Sequence, residues 1–151
     1  MNRQDFILRI RGAEEECKVA LLSVARLSVQ TRRDPGPLAK ANLSHRNVRD
    51  CLDNLEATFI VRIFAEFESA LRHYWKHTSR KRALPRTHIH DLIDKTASHC
   101  HIDTGVLART HDVRECRNRL VHEQPAGPAL TLGECRSFLG RFLGYTPFDW
   151  A

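Results

Sequence analysis

The residues best suited to chemistry lie in one short stretch, Val113-Arg114-Glu115-Cys116-Arg117-Asn118-Arg119-Leu120-Val121-His122-Glu123. A histidine, with an ordinary pKa of about 6.5, gives and takes protons near neutrality. An arginine is a fixed cationic fork whose N–H groups match the oxygens of a phosphate. Projected as a helix at about 100° per residue, Cys116, Leu120 and Val121 fill an apolar sector roughly 140° wide, and Arg117 falls inside it. A guanidinium buried without a partner is costly, so Arg117 is expected to meet a carboxylate, with Glu66 as first candidate. Asn118 and His122 stand one turn apart on a more exposed side, where Asn118 could orient an imidazole or a phosphate. The same residues also admit a reading without a ligand: a salt-bridged core arginine, and a histidine favoured at a helix end by the dipole.

These residues need a scaffold, and the periodicity supplies one. About Arg3 to Val29 reads as a long amphipathic helix, with Phe6, Ile10, Ala13, Cys17, Ala20, Leu21, Val24 and Leu27 at spacings of three and four. Residues 31–47 read as a loop around Asp34-Pro35-Gly36-Pro37. A second helix, from Val48 or Asn54 to His77, carries Phe59, Ile60, Ile63, Phe64, Phe67, Ala70, Leu71, Tyr74 and Trp75 in a sector roughly 160° wide. A stripe that wide touches two neighbours, which makes this the central helix of a bundle. Glu66 lies just outside one border of it, beside Arg62 and His73, and Glu68 lies outside the other. A third helix is expected from about His88 to His99, with Thr87 as a possible cap, and a fourth from Thr104 to Glu123 capped by Asp103. Thr131 and Glu134 stand in capping-box spacing before a fifth. No segment alternates as a strand would. The reading is a single all-α domain over residues 1–151, an up-and-down bundle of about five helices.

At this point the chain resembles a known family. An arginine, a polar residue, three more residues and a histidine, late in a helix of a small all-α bundle, is similar to the signature of HEPN domains. Here it runs from Arg117 to His122, with Asn118 in the polar second place. The run Arg62-Ile63-Phe64-Ala65-Glu66-Phe67-Glu68 is similar to the acidic central helix of many such proteins. The resemblance implies a homodimer whose signature helices face each other across a cleft. It also implies metal-independent endoribonuclease activity in many members, often as toxins or antiviral effectors with an antitoxin or regulatory partner. On that reading Arg117, His122 and Asn118 are catalytic, and Glu66 and Arg62 support them. Gln124 stands where the branch paired with nucleotidyltransferase antitoxins carries a tyrosine, which sets this chain apart from that branch. Other members have no known cleavage activity, so a silent module binding RNA, a nucleotide or a protein is the alternative. A helical adaptor is a third possibility.

The implied chemistry suits the residue types. The 2′-hydroxyl of RNA would attack the adjacent phosphate and leave a 2′,3′-cyclic end, with histidines from two protomers as base and acid. Arginine would meet the charge growing on the phosphorane. DNA lacks that nucleophile.

Composition is compatible with this reading. The net charge is +6, which favours polyanionic partners or tolerates them. Lys76, Arg80, Lys81, Arg82 and Arg86 form a basic connector around residues 78–87, either a solvated loop or a steering surface for RNA. Arg114 and Arg119 are further candidates for phosphate contacts. Five scattered cysteines without a C-x-x-C pair are read as small core residues rather than a disulfide framework. His88/His90 and His99/Cys100/His101 are dense, but they match no paired-ligand spacing, so no metal and no cofactor is expected. No transmembrane segment or signal-peptide core is visible, and a cytoplasmic location is expected. Trp75 and Trp150 are read as core and tail anchors.

Overall fold

A computed structural model describes residues 1–78, 88–122 and 129–150 of the chain. Among these the architecture is all-helical, with α1 Arg3–Arg33, α2 Gly36–Lys40, α3 His45–Thr78, α4 Ile89–His99, α5 Thr104–His122 and α6 Leu132–Gly144. Six helices stand where five are expected. The extra one lies inside the segment read as a loop. Asp34 Oδ1 accepts the Gly36 N–H at 2.9 Å and Pro37 occupies the first turn of α2, whose Leu38 is buried. Proline ends a helix from within but starts one well, because its missing donor is an orphan there anyway.

The helix starts follow local chemistry. Asn2 and Asp5 form a reciprocal capping box on α1, and Thr131 and Glu134 form the expected one on α6. Asp103 Oδ1 accepts from the N–H groups of Gly105 and Val106 at the start of α5, as expected. Thr87 lies outside the described residues. Glu56 on α3 adds a long-range cap, accepting the Leu132 N–H at 2.7 Å. It meets α6 at the end where backbone donors are free and the dipole favours an anion.

The core gathers around α3. Ile60, Ile63, Phe64, Phe67, Ala70, Leu71 and Tyr74 are buried along one side of it, against residues of α1, α4, α5 and α6. Phe67 meets Phe142 of α6 edge-on at 5.4 Å. Trp150 in the C-terminal tail packs on Phe6 and Tyr74, with ring centroids 5.6 Å away in both cases, and Trp75 donates to Thr96 Oγ1 at 2.8 Å. Both tryptophans are anchors, as expected.

α1 and α3 outrun the rest. At about 1.5 Å per residue they span about 46 and 51 Å, against about 20 Å for α6. Between Cys17 and Thr31 α1 buries no residue, and α3 buries none between Val48 and Ile60. The outer halves therefore form an arm, with Thr31, Leu38 and Val48 buried near its tip. Cys17, Cys116 and Cys135 are buried as expected, whereas Cys51 is exposed on the arm.

Glu14 is the one buried acid among the described residues, held by Arg136 of α6 at 2.8 Å and Lys18 at 3.0 Å. Burial alone would raise its carboxyl, but the Lys18 and Arg136 cations outweigh burial and hold it below the ordinary value. A depressed folded-state pKa stabilises the protein above the unfolded value and loses that contribution as pH falls through the folded one. Glu14→Gln should therefore cost about 1–3 kcal/mol at neutral pH. Urea unfolding from pH 7 down to pH 3 should show the wild type losing its advantage over the variant in the acid range. An unchanged gap at low pH would contradict the assignment.

Candidate functional site

α5 brings its polar residues to one end of the bundle. Val106, Thr110, Val113 and Cys116 are its buried residues, and all precede the motif. Arg117 and Asn118 are half-buried, and His122, the last residue of the helix, is exposed. Arg117 Nη1 donates to Asn118 Oδ1 at 3.0 Å, and its guanidinium carbon lies 5.9 Å from the centre of the Phe64 ring on α3. Among the described residues no carboxylate pairs with Arg117 and His122 has no hydrogen-bond partner.

The expected carboxylate is engaged elsewhere. Glu66 pairs with Arg9 of α1 at 3.2 Å. Arg62 holds Glu16 of α1 through both terminal nitrogens and lies 5.5 Å from the Phe59 ring. These two residues therefore tie α3 to α1 and do not support Arg117. The physical reason is azimuthal: the border of α3 that carries Glu66 faces α1, while Phe64 faces α5.

Arg117 and His122 are about 140° apart around the helix axis, so within one protomer they do not share a face. Asn118 links them, being hydrogen-bonded to Arg117 and one turn before His122. Arg114 and Arg119 are less available than expected. Both are half-buried, each Nε is buried without a partner among the described residues, and Arg114 Nη2 reaches Glu115 at 3.4 Å. Arg80, Lys81, Arg82 and Arg86 of the connector lie outside the described residues, while Lys76 is exposed near the end of α3. Burial first, and then neighbouring Cys116, push the Cys135 thiol of α6 up to about 12, so that thiol is not poised for nucleophilic attack.

Two groupings are absent from the sequence reading. A hollow of about 410 Å³ at the other end of α5 is lined by Asp103, Val106, Arg109, Phe138, Arg141 and Tyr145. A second grouping joins His90 and Asp94 of α4 to His111 of α5, with ligand atoms within 4.8 Å of one another. Of the residues noted as dense, His90 joins this grouping, whereas His99, Cys100 and His101 do not. His99 packs 5.3 Å from the Trp75 ring, Cys100 Sγ lies 3.4 Å from the Tyr74 hydroxyl, and His101 occupies a left-handed turn at φ 52°. The His90–Asp94 spacing of four is visible in sequence, but its meeting with His111 needs the α4–α5 packing.

No family model matches the chain, and neither a curated protein nor a solved structure matches it.

The packing of Arg117 sets a stability expectation. Arg117→Met keeps an apolar stem against Phe64 and breaks no ion pair, so unfolding free energy should change by less than about 1 kcal/mol. Loss of a buried pair would cost about 3–5 kcal/mol instead. Denaturant titration of the variant separates the two, and a loss in the larger range would restore a carboxylate partner.

Proposed function

We propose that the chain is an RNA-directed domain of HEPN type, acting as a metal-independent endoribonuclease of toxin or antiviral-defence kind. The observation that carries this is Arg117. It is a half-buried guanidinium held by an amide and an aromatic face, with no carboxylate to neutralise it among the described residues, and the amide that holds it stands one turn before an exposed histidine. A cation supported in this way keeps its charge for an incoming anion. A phosphodiester flanked by a 2′-hydroxyl fits that charge and an imidazole together.

In this mechanism one His122 takes the 2′-hydroxyl proton as the oxygen attacks phosphorus. A second His122, from a partner protomer, gives a proton to the departing 5′-oxygen. Arg117 and Asn118 meet the phosphate oxygens as charge builds on them. The products are a 2′,3′-cyclic phosphate and a 5′-hydroxyl. The angular separation of Arg117 and His122 on one helix is the reason for invoking a dimer with paired α5 ends, and Val121, 44% exposed beside His122, gives that contact an apolar patch. An antitoxin or other regulator would act by covering the same end.

The same separation favours a second reading, in which the domain holds RNA without cutting it. Labelled RNA incubated with the protein in excess EDTA distinguishes them. Cleavage to cyclic-phosphate ends, with DNA of the same sequence intact, is the expected result. His122→Ala and Arg117→Ala should each lower the rate by roughly 10²–10⁴. RNA retained but uncut, and released when Arg80, Lys81 and Arg82 are neutralised, supports the binder. No retention at low salt refutes both.

A further inference from the structure

We propose that His90, Asp94 and His111 form a site for one divalent transition-metal ion of the zinc type, which clamps α4 to α5. His90 and Asp94 lie one turn apart on α4, and His111 reaches them from α5. Asp94 receives both imidazoles: its Oδ1 lies 2.8 Å from His111 Nε2 and its Oδ2 lies 3.2 Å from His90 Nδ1. The two rings are tilted face to face at 4.8 Å between centroids. Tetrahedral zinc with ligands at about 2.0–2.1 Å holds its ligand atoms about 3.3 Å apart. The two short contacts run to different oxygens of Asp94, and with one ligand atom taken from each residue the three lie within 4.8 Å of one another, so at most about 1.5 Å of side-chain movement brings them to that spacing.

The donor set is two imidazole nitrogens and one carboxylate oxygen, borderline ligands suited to zinc and its neighbours rather than to magnesium or calcium. Asp91, whose Oδ1 is 3.6 Å from His90 Nδ1, or a water fills the fourth position. An ion has a path in, because the side chains of His90 and Asp94 keep 51% and 44% exposure while that of His111 keeps 20%. His111 Nδ1 is buried with no hydrogen-bond partner among the described residues. A metal-bound imidazole ordinarily donates its other N–H to an acceptor, so this missing contact limits the affinity.

The ion would add a cross-link between α4 and α5 on the solvent side of their contact. α4 is short, and its buried contacts are Leu92, Ile93, Thr96 and Ala97. His111 lies about 16 Å along α5 from His122, on the same side of the helix. The metal would thus position α5 without touching the proposed cleavage chemistry, and the inference is independent of the RNA reading.

Calorimetric titration of the full chain with zinc chloride, paired with melting curves, tests it. The expected result is one zinc ion bound per chain and a higher melting temperature. Both His90→Ala and Asp94→Asn, folded by circular dichroism, should weaken binding at least tenfold and lose the thermal shift. Cys51→Ser should behave as wild type. Cobalt in place of zinc should give the intense visible absorption of a tetrahedral site in the wild type and in Cys51→Ser, and in neither ligand variant. Absence of zinc binding in the wild type, or wild-type affinity in both ligand variants, overturns the proposal.

Discussion

The structure depends on one apolar face, that of α3 between Ile60 and Tyr74. Four helices pack against this helix, and each finds its register from the same side chains. Burying an aromatic or large aliphatic side chain contributes about 1.5–3 kcal/mol. Phe64, Phe67 and Leu71 together thus outweigh any single ion pair on the surface. The ion pairs between α1 and α3 follow from that packing. Arg9–Glu66 and Arg62–Glu16 sit at the rim, where solvent screens them, and they set azimuth more than they add stability.

Phe64 has a double role on this face. It is 1% exposed and belongs to the core, yet its ring is also what the Arg117 guanidinium rests on. An aromatic face accepts a cation without neutralising it, unlike a carboxylate. A guanidinium on a ring keeps its N–H groups directed at their own partners, here Asn118 Oδ1, and keeps its net charge. That difference separates a charge consumed by the fold from one left available.

Much of this was legible in the sequence because local physics determines it. The stripes of α1 and α3, the Thr131–Glu134 box and the Asp103 cap all depend on residues within a few positions of each other; the box and the cap appear as read, the α3 stripe is buried from Ile60 to Tyr74, and the α1 stripe is fully buried only as far as Cys17. The carboxylate assigned to Arg117 fails for a different reason. A helical projection tells whether a side chain faces inward, but not which neighbour lies at that azimuth. Glu66 and Phe64 are two residues apart on α3, and that difference of about 200° decides which helix each one meets. The His90, Asp94 and His111 cluster was hidden for the same reason, since half of it is periodic and half is tertiary. α2 was missed because proline carries opposite meanings inside a helix and at its start.

The end of α5 shows how fold and chemistry share residues. Its last buried side chain is Cys116, so the final turn and a half has no fully buried anchor. Leu120, half-buried against the core, and Arg117 on Phe64 hold it down. A long side chain can bury its stem and leave its charged head at the edge. Arg117 therefore does what an aliphatic residue would do for packing while presenting a cation beside Asn118. Leucine at this position would anchor the turn as well and would leave His122 as an isolated surface imidazole. The choice of arginine has little to gain in stability, and its consequence is electrostatic: a positive charge fixed in place by the same ring that organises the core.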